Sequence, residues 1–312
     1  MERRIIVIAG PTCSGKTQIG IKLAKELNAE IISADSRQIY KYLNIGTAKP
    51  TSNQLKEIKH HFINELNPDD GYDVSKYESE ARKRIKKIYS KNKFPIVVGG
   101  SGLYIKALSD GIVETPLKDS DFRKKLENER NIYGNIFLHD KLKKVDPVSA
   151  DKIHPSYWKR VVRALEVIHL TGKTITEIHN KQKKQDQYKF DNYILNWDRE
   201  ILYKNIEFRV DKMFDEGLVN EVEQLLNKGF SKTLNSLNTV GYKETISFLE
   251  NDISLERAIE LTKRNTRRYA KRQLTWFRKD KRNIWIDIKT YKDLEKFTEQ
   301  LLKKRKFDER KN

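Results

Sequence analysis

The chain has little cysteine, no long apolar run and a deficit of acidic residues. Its 312 residues include one cysteine, Cys13, so the sequence supports neither a disulfide framework nor a cysteine-rich zinc site. No apolar run approaches the roughly 18 residues that a membrane-spanning helix needs, and the charged start Met1–Arg4 does not resemble a signal peptide. We therefore expect a cytoplasmic protein that does not use a membrane.

Basic residues are abundant by contrast. Lys and Arg number 63 against 44 Asp and Glu, which gives a formal net charge of +19. Such a charge favours a polyanionic partner, although basic residues spread along the whole chain could also form ordinary solvated faces. The length is sufficient for a full hydrophobic core and for more than one lobe.

The segment GPTCSGKT matches the phosphate-binding template G-x-x-x-x-G-K-[ST]. In this template backbone N–H groups surround an anion, Lys16 adds positive charge and the Thr17 hydroxyl ligates Mg²⁺. The β-branched run Ile5–Ala9 predicts a buried parallel strand before the loop, and a helical pattern follows it. The predicted phosphate-binding residues are Gly10, Pro11, Thr12, Cys13, Ser14, Gly15, Lys16 and Thr17. Strand, loop and helix in this order predict an α/β fold with an anion at the helix N-terminus.

Two more predicted strands are followed by residues that could take part in catalysis or binding. Glu30–Ala34 is followed by Asp35, and Phe94–Val98 is followed by the glycine-rich segment Gly99–Gly102. Ligands of open α/β sheets bind at the carboxyl ends of the strands, so Asp35 could ligate Mg²⁺ through water, accept a proton or cap the next segment. Hydrolytic P-loop proteins usually carry a metal-binding Asp where these glycines stand, so water activation is not indicated. The glycines favour close approach by another chain, with a tight turn as the alternative.

Four segments, in order, resemble the tRNA dimethylallyltransferase family, also called tRNA isopentenyltransferases. They are GPTCSGKT, ISADSRQIYKYLNIGTAKP, GGSGLYIKAL and TRRYAKRQLTWFRKD. The resemblance implies a P-loop NTPase-like parallel sheet and transfer of a dimethylallyl group from dimethylallyl diphosphate to N6 of the adenosine 3′-adjacent to the anticodon, with release of pyrophosphate. It also implies Mg²⁺ as cofactor and the tRNA anticodon stem-loop as partner. The chain is similar to the bacterial form, without the zinc finger that eukaryotic members often append, and we expect a monomer.

The resemblance assigns roles to individual residues. Lys16 and Thr17 would bind diphosphate and Mg²⁺, Asp35 would accept the proton of the adenosine amine, and Arg209 would point to the diphosphate. Contacts with tRNA are assigned to Asp35, Ser36, Arg37, Gln38, Ser101, Arg123, Lys159, Arg160, Val161, Val162 and Arg163. Chemistry on the amine requires the base to leave its stack, which costs less in a tRNA loop than in a duplex.

A change of composition predicts three parts of the chain. Residues 1–116 and 199–312 would form the P-loop core, and residues 117–198 an inserted, mainly helical, tRNA-binding lobe. Within that lobe one helix should end at Gly172 and bury an apolar face, with Glu166 and the arginines turned away from it.

The strongest basic signal is Lys263–Arg282, with ten basic residues and one acidic residue. Residues at three- and four-residue steps can pack on one side of a helix there while arginines project to RNA phosphates. Two other functions remain open at this stage. A small-molecule or nucleotide P-loop kinase would not need this segment or the lobe, and a non-catalytic RNA-binding protein would not need an intact Lys16, Thr17 and Asp35.

Overall fold

The structure, a computed structural model, describes residues 3–112, 119–181 and 188–310, without the side chains of 179–181 and 306–310. The chain divides into two compact units. The larger unit comprises Met1–Asp110 and Asp186–Asn312, and the smaller unit comprises Gly111–Gln185. The expected lobe of residues 117–198 therefore ends too late, because the strand that follows Gln185 belongs to the larger unit.

Within the described residues the larger unit contains a sheet of six strands, and all neighbouring strands are parallel. The strands are β1 (Arg3–Ala9), β2 (Ala29–Ala34), β3 (His60–His61), β4 (Phe94–Gly99), β5 (Tyr188–Trp197) and β6 (Ile284–Ile288). Their order in the sheet is β3-β2-β4-β1-β5-β6. The predicted α/β class with a parallel-sheet core is confirmed.

Helices precede and follow the strands along the chain. They are α1 (Lys16–Glu26), α2 (Ser52–Glu57), α3 (Val74–Tyr89), α4 (Gly102–Asp110), α5 (Ser120–Val145), α6 (Pro147–Lys152), α7 (Trp158–Thr171), α8 (Ile175–Lys181), α9 (Arg199–Asp215), α10 (Leu218–Asn227), α11 (Tyr242–Leu249), α12 (Leu255–Phe277) and α13 (Tyr291–Arg310). None of the described helices is both long and apolar enough to cross a membrane.

Strand β1 shows why the sheet is buried on both faces. Ile5, Val7 and Ala9 belong to one hydrophobic cluster, whereas Ile6 and Ile8 belong to a second cluster. Successive side chains of a strand point to opposite faces, so a continuous apolar run serves a sheet that is covered on both sides. The run that predicted a buried parallel strand therefore has its expected place at the centre of the sheet.

The strand register brings three chain segments to one edge of the sheet. Gly99 of β4 pairs with Ala9 of β1 on one side and with Ala34 of β2 on the other. The residues that follow these three strands consequently meet at the carboxyl edge, where parallel α/β sheets bind ligands. The phosphate loop and Asp35 lie in two of those segments.

The smaller unit is helical and has its own core. Its buried apolar side chains come from α5, α6 and α7: Leu126, Leu138, Leu142, Ala150, Val161, Val162, Ala164 and Leu165. Helix α7 ends at Gly172, whose φ of 66° is a left-handed C-cap, as the sequence predicted. Helix α5 is interrupted at Gly134, where the backbone is not helical.

Candidate active site

The phosphate loop occupies the turn between β1 and α1. Gly15 precedes the helix with a φ of 83°, a conformation that favours glycine, and Cys13 has a φ of 62°. Helix α1 then begins at Lys16, so its unpaired N–H groups and the positive end of its dipole face the loop. The backbone geometry is therefore that of an anion-binding turn.

The Lys16 side chain lies along the loop. Its Nζ donates to the Pro11 carbonyl at 2.5 Å and lies 3.5 Å from the Ser14 hydroxyl. Burial, with a further contribution from the positive charge of Arg209, lowers the pKa of Lys16 from 10.5 to about 8. A nearby anion would favour the charged form of this ammonium, so the site is electrostatically prepared for phosphate oxygens.

Arg209 reaches the loop from α9. Its Nη1 donates to Thr12 Oγ1 at 3.2 Å and lies 3.5 Å from Cys13 Sγ. The structure thus brings this predicted residue to the phosphate loop, although it lies far from Thr17 in sequence. A second positive charge therefore lies at the phosphate loop, where it could bind anionic oxygen atoms.

Asp35 caps the turn that follows β2. Its Oδ1 accepts the backbone N–H of Arg37 at 2.8 Å and that of Gln38 at 3.3 Å. The capping role considered from sequence is therefore observed. These two hydrogen bonds use one carboxylate oxygen, and they orient the group so that Asp35 still lines the cavity of Lys16 and Thr17.

The other polar residues after β2 are tied to the chain itself. The Ser36 N–H donates to Ser101 Oγ at 3.1 Å. The Gln38 amide donates to the carbonyls of Thr47 and Ala48 at 3.1 and 3.2 Å. Ser101 and Gln38, both assigned to tRNA, therefore also fix the turn that carries Asp35.

The glycine-rich end of β4 is explained by close packing within the chain. A Cβ on Gly99 would lie 2.1 Å from the Ala34 carbonyl oxygen, and one on Gly102 would lie 2.1 Å from the Trp276 ring. Since real Cβ atoms do not approach so closely, these positions need glycine. Close approach by another chain was expected from sequence, but the segments that require these glycines are β2 and α12 of the same chain.

Two adjoining cavities open at this carboxyl edge. The first, about 140 Å³, is lined by phosphate-loop residues, by other polar residues and by the apolar side chains of Ile31, Ile63 and Val98. The second, about 300 Å³, is lined by Arg37 and other polar residues. Asp35 lines both cavities, and so do Thr12, Thr47, Arg209 and Tyr269. The carboxylate consequently stands where a group in one cavity could react with a group in the other.

Of the six predicted tRNA-contact residues in the smaller unit, two are exposed, two are buried, and Arg123 and Arg163 are half-buried. Lys159 and Arg160 are exposed at the start of α7. Val161 and Val162 are 0% and 3% exposed, so their side chains belong to the core and cannot reach RNA in this structure. The sequence pattern of α7 supports this, because Val161 was also expected on the apolar face.

Arg123 and Arg163 meet at a buried carboxylate. Arg123 binds Glu166 through two hydrogen bonds of 2.7 Å, and Arg163 Nη1 also donates to Glu166. The Asp119 N–H donates to the same group at 2.8 Å. Glu166 was predicted to lie away from the apolar face; it is nevertheless buried, at 0% exposure, and the two arginines are the partners that make this burial tolerable.

Helix α12 has the predicted two-sided character. Its buried residues are Ala258, Thr262, Ala270, Gln273 and Phe277. Arg268, Lys271 and Arg272 are exposed. Arg267 instead forms an ion pair with Glu207 at 2.7 Å. The helix therefore presents a basic surface, to which Arg267 contributes less because it is paired within the chain.

No group of three or more metal-ligating side chains of His, Cys, Asp or Glu occurs within the ranges that the structure describes. His61 Nε2 forms a hydrogen bond with the Glu30 carboxylate at 2.8 Å, inside the sheet. This contact supports a structural role for the His60–His61 pair, which is strand β3.

Two residues that hold the phosphate loop were not recognised from sequence. The Trp197 indole N–H donates to the Ser14 carbonyl at 3.0 Å, and Gln273 Oε1 accepts the Thr12 N–H at 2.9 Å. A polar residue in the middle of an apolar helical face was the available signal for Gln273. For Trp197 the sequence offers no signal, since tryptophan at a strand end is ordinary.

Known proteins resemble this chain over most of its length. The family model described as IPP transferase matches residues 38–280. Curated tRNA dimethylallyltransferases of Lachnoclostridium phytofermentans and Carboxydothermus hydrogenoformans are each 46% identical to the chain, covering 92% and 97% of it and the same shares of their own lengths.

Solved structures give the same result. The full-length tRNA isopentenylpyrophosphate transferase of Bacillus halodurans has 37% identity and a TM-score of 0.69, covering 99% of this chain and 100% of its own. A eukaryotic dimethylallyltransferase described as acting on tRNA has 31% identity and a TM-score of 0.80, covering 93% of this chain and 75% of its own.

Proposed function

Because the chain belongs to the IPP transferase family, we propose that it transfers a dimethylallyl group from dimethylallyl diphosphate to tRNA, with release of pyrophosphate. The acceptor in this proposal is N6 of the adenosine 3′-adjacent to the anticodon, presented by the anticodon stem-loop. The observation that carries the proposal is the position of Asp35 on the wall of both cavities. Action on tRNA also implies work in the cytoplasm.

The first cavity suits the prenyl donor. Lys16, Thr17 and Arg209 line it and provide positive charge and a hydroxyl for diphosphate oxygens. Ile31 and Val98 also line it and suit a short branched alkyl group, which gains from leaving water. A cavity lined by both cationic and apolar side chains suits an alkyl diphosphate better than either an inorganic anion or a plain hydrocarbon.

The reaction follows from these placements. The bond between the allylic C1 and the diphosphate oxygen breaks, and its electron pair leaves with pyrophosphate. Lys16 and Arg209 stabilise the charge that develops on the leaving oxygens. The adenine enters through the second cavity. Its N6 lone pair forms the new C–N bond with the allylic C1. Asp35 accepts the N6 proton, so no water or further co-reactant takes part.

Magnesium fits this site as a companion of the diphosphate. The Thr17 hydroxyl and Asp35 line the same cavity, and both offer the hard oxygen atoms that Mg²⁺ prefers. One carboxylate is too few to coordinate Mg²⁺ with protein ligands alone. Mg²⁺ usually binds one or two protein carboxylates together with substrate phosphates, so this site fits that pattern. Bound there, the ion would neutralise charge on the departing pyrophosphate.

The kinase alternative is less well supported. The end of β4 carries Gly99 against the Ala34 backbone, so no metal-binding carboxylate can stand at that position. The exposed basic side chains of α12 are also unnecessary for a small substrate, whereas RNA phosphates would contact them.

A direct test is incubation of the full chain with Mg²⁺, unmodified tRNA and isotopically labelled dimethylallyl diphosphate, followed by nucleoside analysis. We expect label on N6 of one adenosine and one pyrophosphate released for each transfer. A parallel reaction with ATP in place of the prenyl donor should yield no ADP. ADP production that depends on tRNA, without labelled nucleoside, would overturn the proposal in favour of a kinase or ATPase.

A further inference from the structure

Gln273 connects the basic helix to the carboxyl edge of the sheet. It lies in α12 and is 7% exposed. Its Oε1 accepts the Thr12 N–H of the phosphate loop at 2.9 Å, and its Nε2 donates to the Gly100 carbonyl at 2.9 Å. One buried amide therefore joins three segments that are distant in sequence, and both its donor and its acceptor function are used.

The space for this amide depends on Gly100. A Cβ at that position would lie 2.3 Å from Gln273 Nε2, so any larger residue would push the amide away. The fit between a side-chain amide and a strand-end glycine is thus specific to this pair. A hydrophobic residue of similar size at 273 would fill the volume and leave the Thr12 N–H without an acceptor.

Thr12 is the point through which this contact reaches the diphosphate site. Its N–H is bound by Gln273, and its hydroxyl accepts a hydrogen bond from Arg209. A shift of the Thr12 peptide would therefore move the loop backbone and release the guanidinium that faces the same cavity. Since the Thr12 N–H is already engaged by protein, the anion must be held by other loop amides.

We propose that Gln273 is a positioning residue for the diphosphate: it acts through Thr12 to hold the phosphate loop and Arg209 in their binding geometry. This inference rests on the proposed function for the identity of the anion, but the contact itself concerns any diphosphate in the loop. Arg268, Lys271 and Arg272 lie on the exposed side of the same helix and are free of this bridge. Loss of the bridge should consequently weaken diphosphate binding and leave tRNA binding nearly unchanged.

The first experiment measures binding of inorganic pyrophosphate with Mg²⁺ to the full chain by calorimetry. Gln273→Ala should weaken this binding about tenfold, as expected for a buried N–H that loses its acceptor. The affinity for tRNA should change by less than about twofold. The KM for dimethylallyl diphosphate should rise with little change in kcat.

Gly100→Ala provides an independent perturbation of the same contact. Its methyl group would displace the Gln273 amide, so the single variant should weaken pyrophosphate binding about as much as Gln273→Ala does. In the Gln273→Ala background the amide is absent, and the added methyl should cause little further loss. This non-additive result is the signature of a direct interaction.

Leu274→Ala controls for general damage to α12. Leu274 packs against the hydrophobic core beside Gln273 but makes no contact in the bridge, so this variant should lower Tm and keep the wild-type pyrophosphate affinity. Three results would each overturn the inference. They are an unchanged pyrophosphate affinity in Gln273→Ala, additive losses of affinity when Gln273→Ala and Gly100→Ala are combined, and a loss in Leu274→Ala equal to that in Gln273→Ala. Pyrophosphate binding needs no prenyl transfer, so a wild type that binds it without modifying tRNA overturns the proposed function alone.

Discussion

Replacement of Glu166 by Gln tests the buried ion pairs that join Arg123 and Arg163 to Glu166 in the smaller unit. Burial alone would raise the pKa of this carboxyl, but the hydrogen bonds with Arg123 and Arg163 outweigh burial and lower the pKa from 4.5 to about 2. Removing the charged partner of a buried ion pair typically costs about 3 kcal/mol or more of stability, because the opposite charge is left without compensation. Glu166→Gln should therefore reduce the free energy of unfolding by about that amount at pH 7.

The sign of the pH dependence follows from the lowered pKa. Above about pH 4.5 the carboxyl is ionised in the unfolded chain as well, so the full stabilisation is present. It is lost as the pH falls through the folded-state pKa of about 2. The stability difference between wild type and Glu166→Gln should accordingly be constant near neutrality and shrink below pH 4.5.

Urea unfolding at several pH values measures this difference, and hydrogen exchange by mass spectrometry locates it. The protection of peptides within 119–178 should fall in the variant, because Glu166, Arg123 and Arg163 all belong to the smaller unit. Glu127→Gln is the matched control, an exposed glutamate on the same helix as Arg123, and should change stability by less than about 0.5 kcal/mol. Equal stability of Glu166→Gln and wild type at pH 7 would refute the reasoning.

Three further outcomes are expected for the larger unit. Asp35→Asn should slow single-turnover prenyl transfer by roughly 10² to 10⁴ with little change in tRNA affinity, and a near-normal rate would exclude Asp35 as the base. Burial and Arg209 lower the pKa of Lys16 to about 8, so kcat/KM for dimethylallyl diphosphate should fall as the pH rises above about 8. Arg209→Gln should shift this fall in kcat/KM to higher pH, because it removes one cause of the lowered pKa. A fall at the same pH in both proteins would contradict the assignment. Arg268→Ala should reduce the magnitude of the slope of log K for tRNA binding against log salt concentration by roughly 0.7 to 1. Arg267→Ala should reduce this slope less, because Arg267 is paired with Glu207. Equal slopes for both variants would contradict the assignment.

Local sequence determined the elements that carry the diphosphate site. The β-branched run before GPTCSGKT gave a strand, and the glycine before Lys16 permitted the left-handed turn that starts α1. Asp35 was placed at the edge of the sheet because it follows a buried strand. These properties depend on neighbours in the chain, which is why a short stretch of sequence is sufficient to predict them.

Only the tertiary structure decided which distant groups meet there. Gly100 was open to two explanations until α12 placed Gln273 against it, and Arg209 reached the loop only through the packing of α9. Glu166 was expected on a polar face because helical periodicity cannot show that Arg123 comes from another helix to pair with it. Periodicity describes one element at a time, whereas burial of a charge depends on a partner supplied by long-range packing.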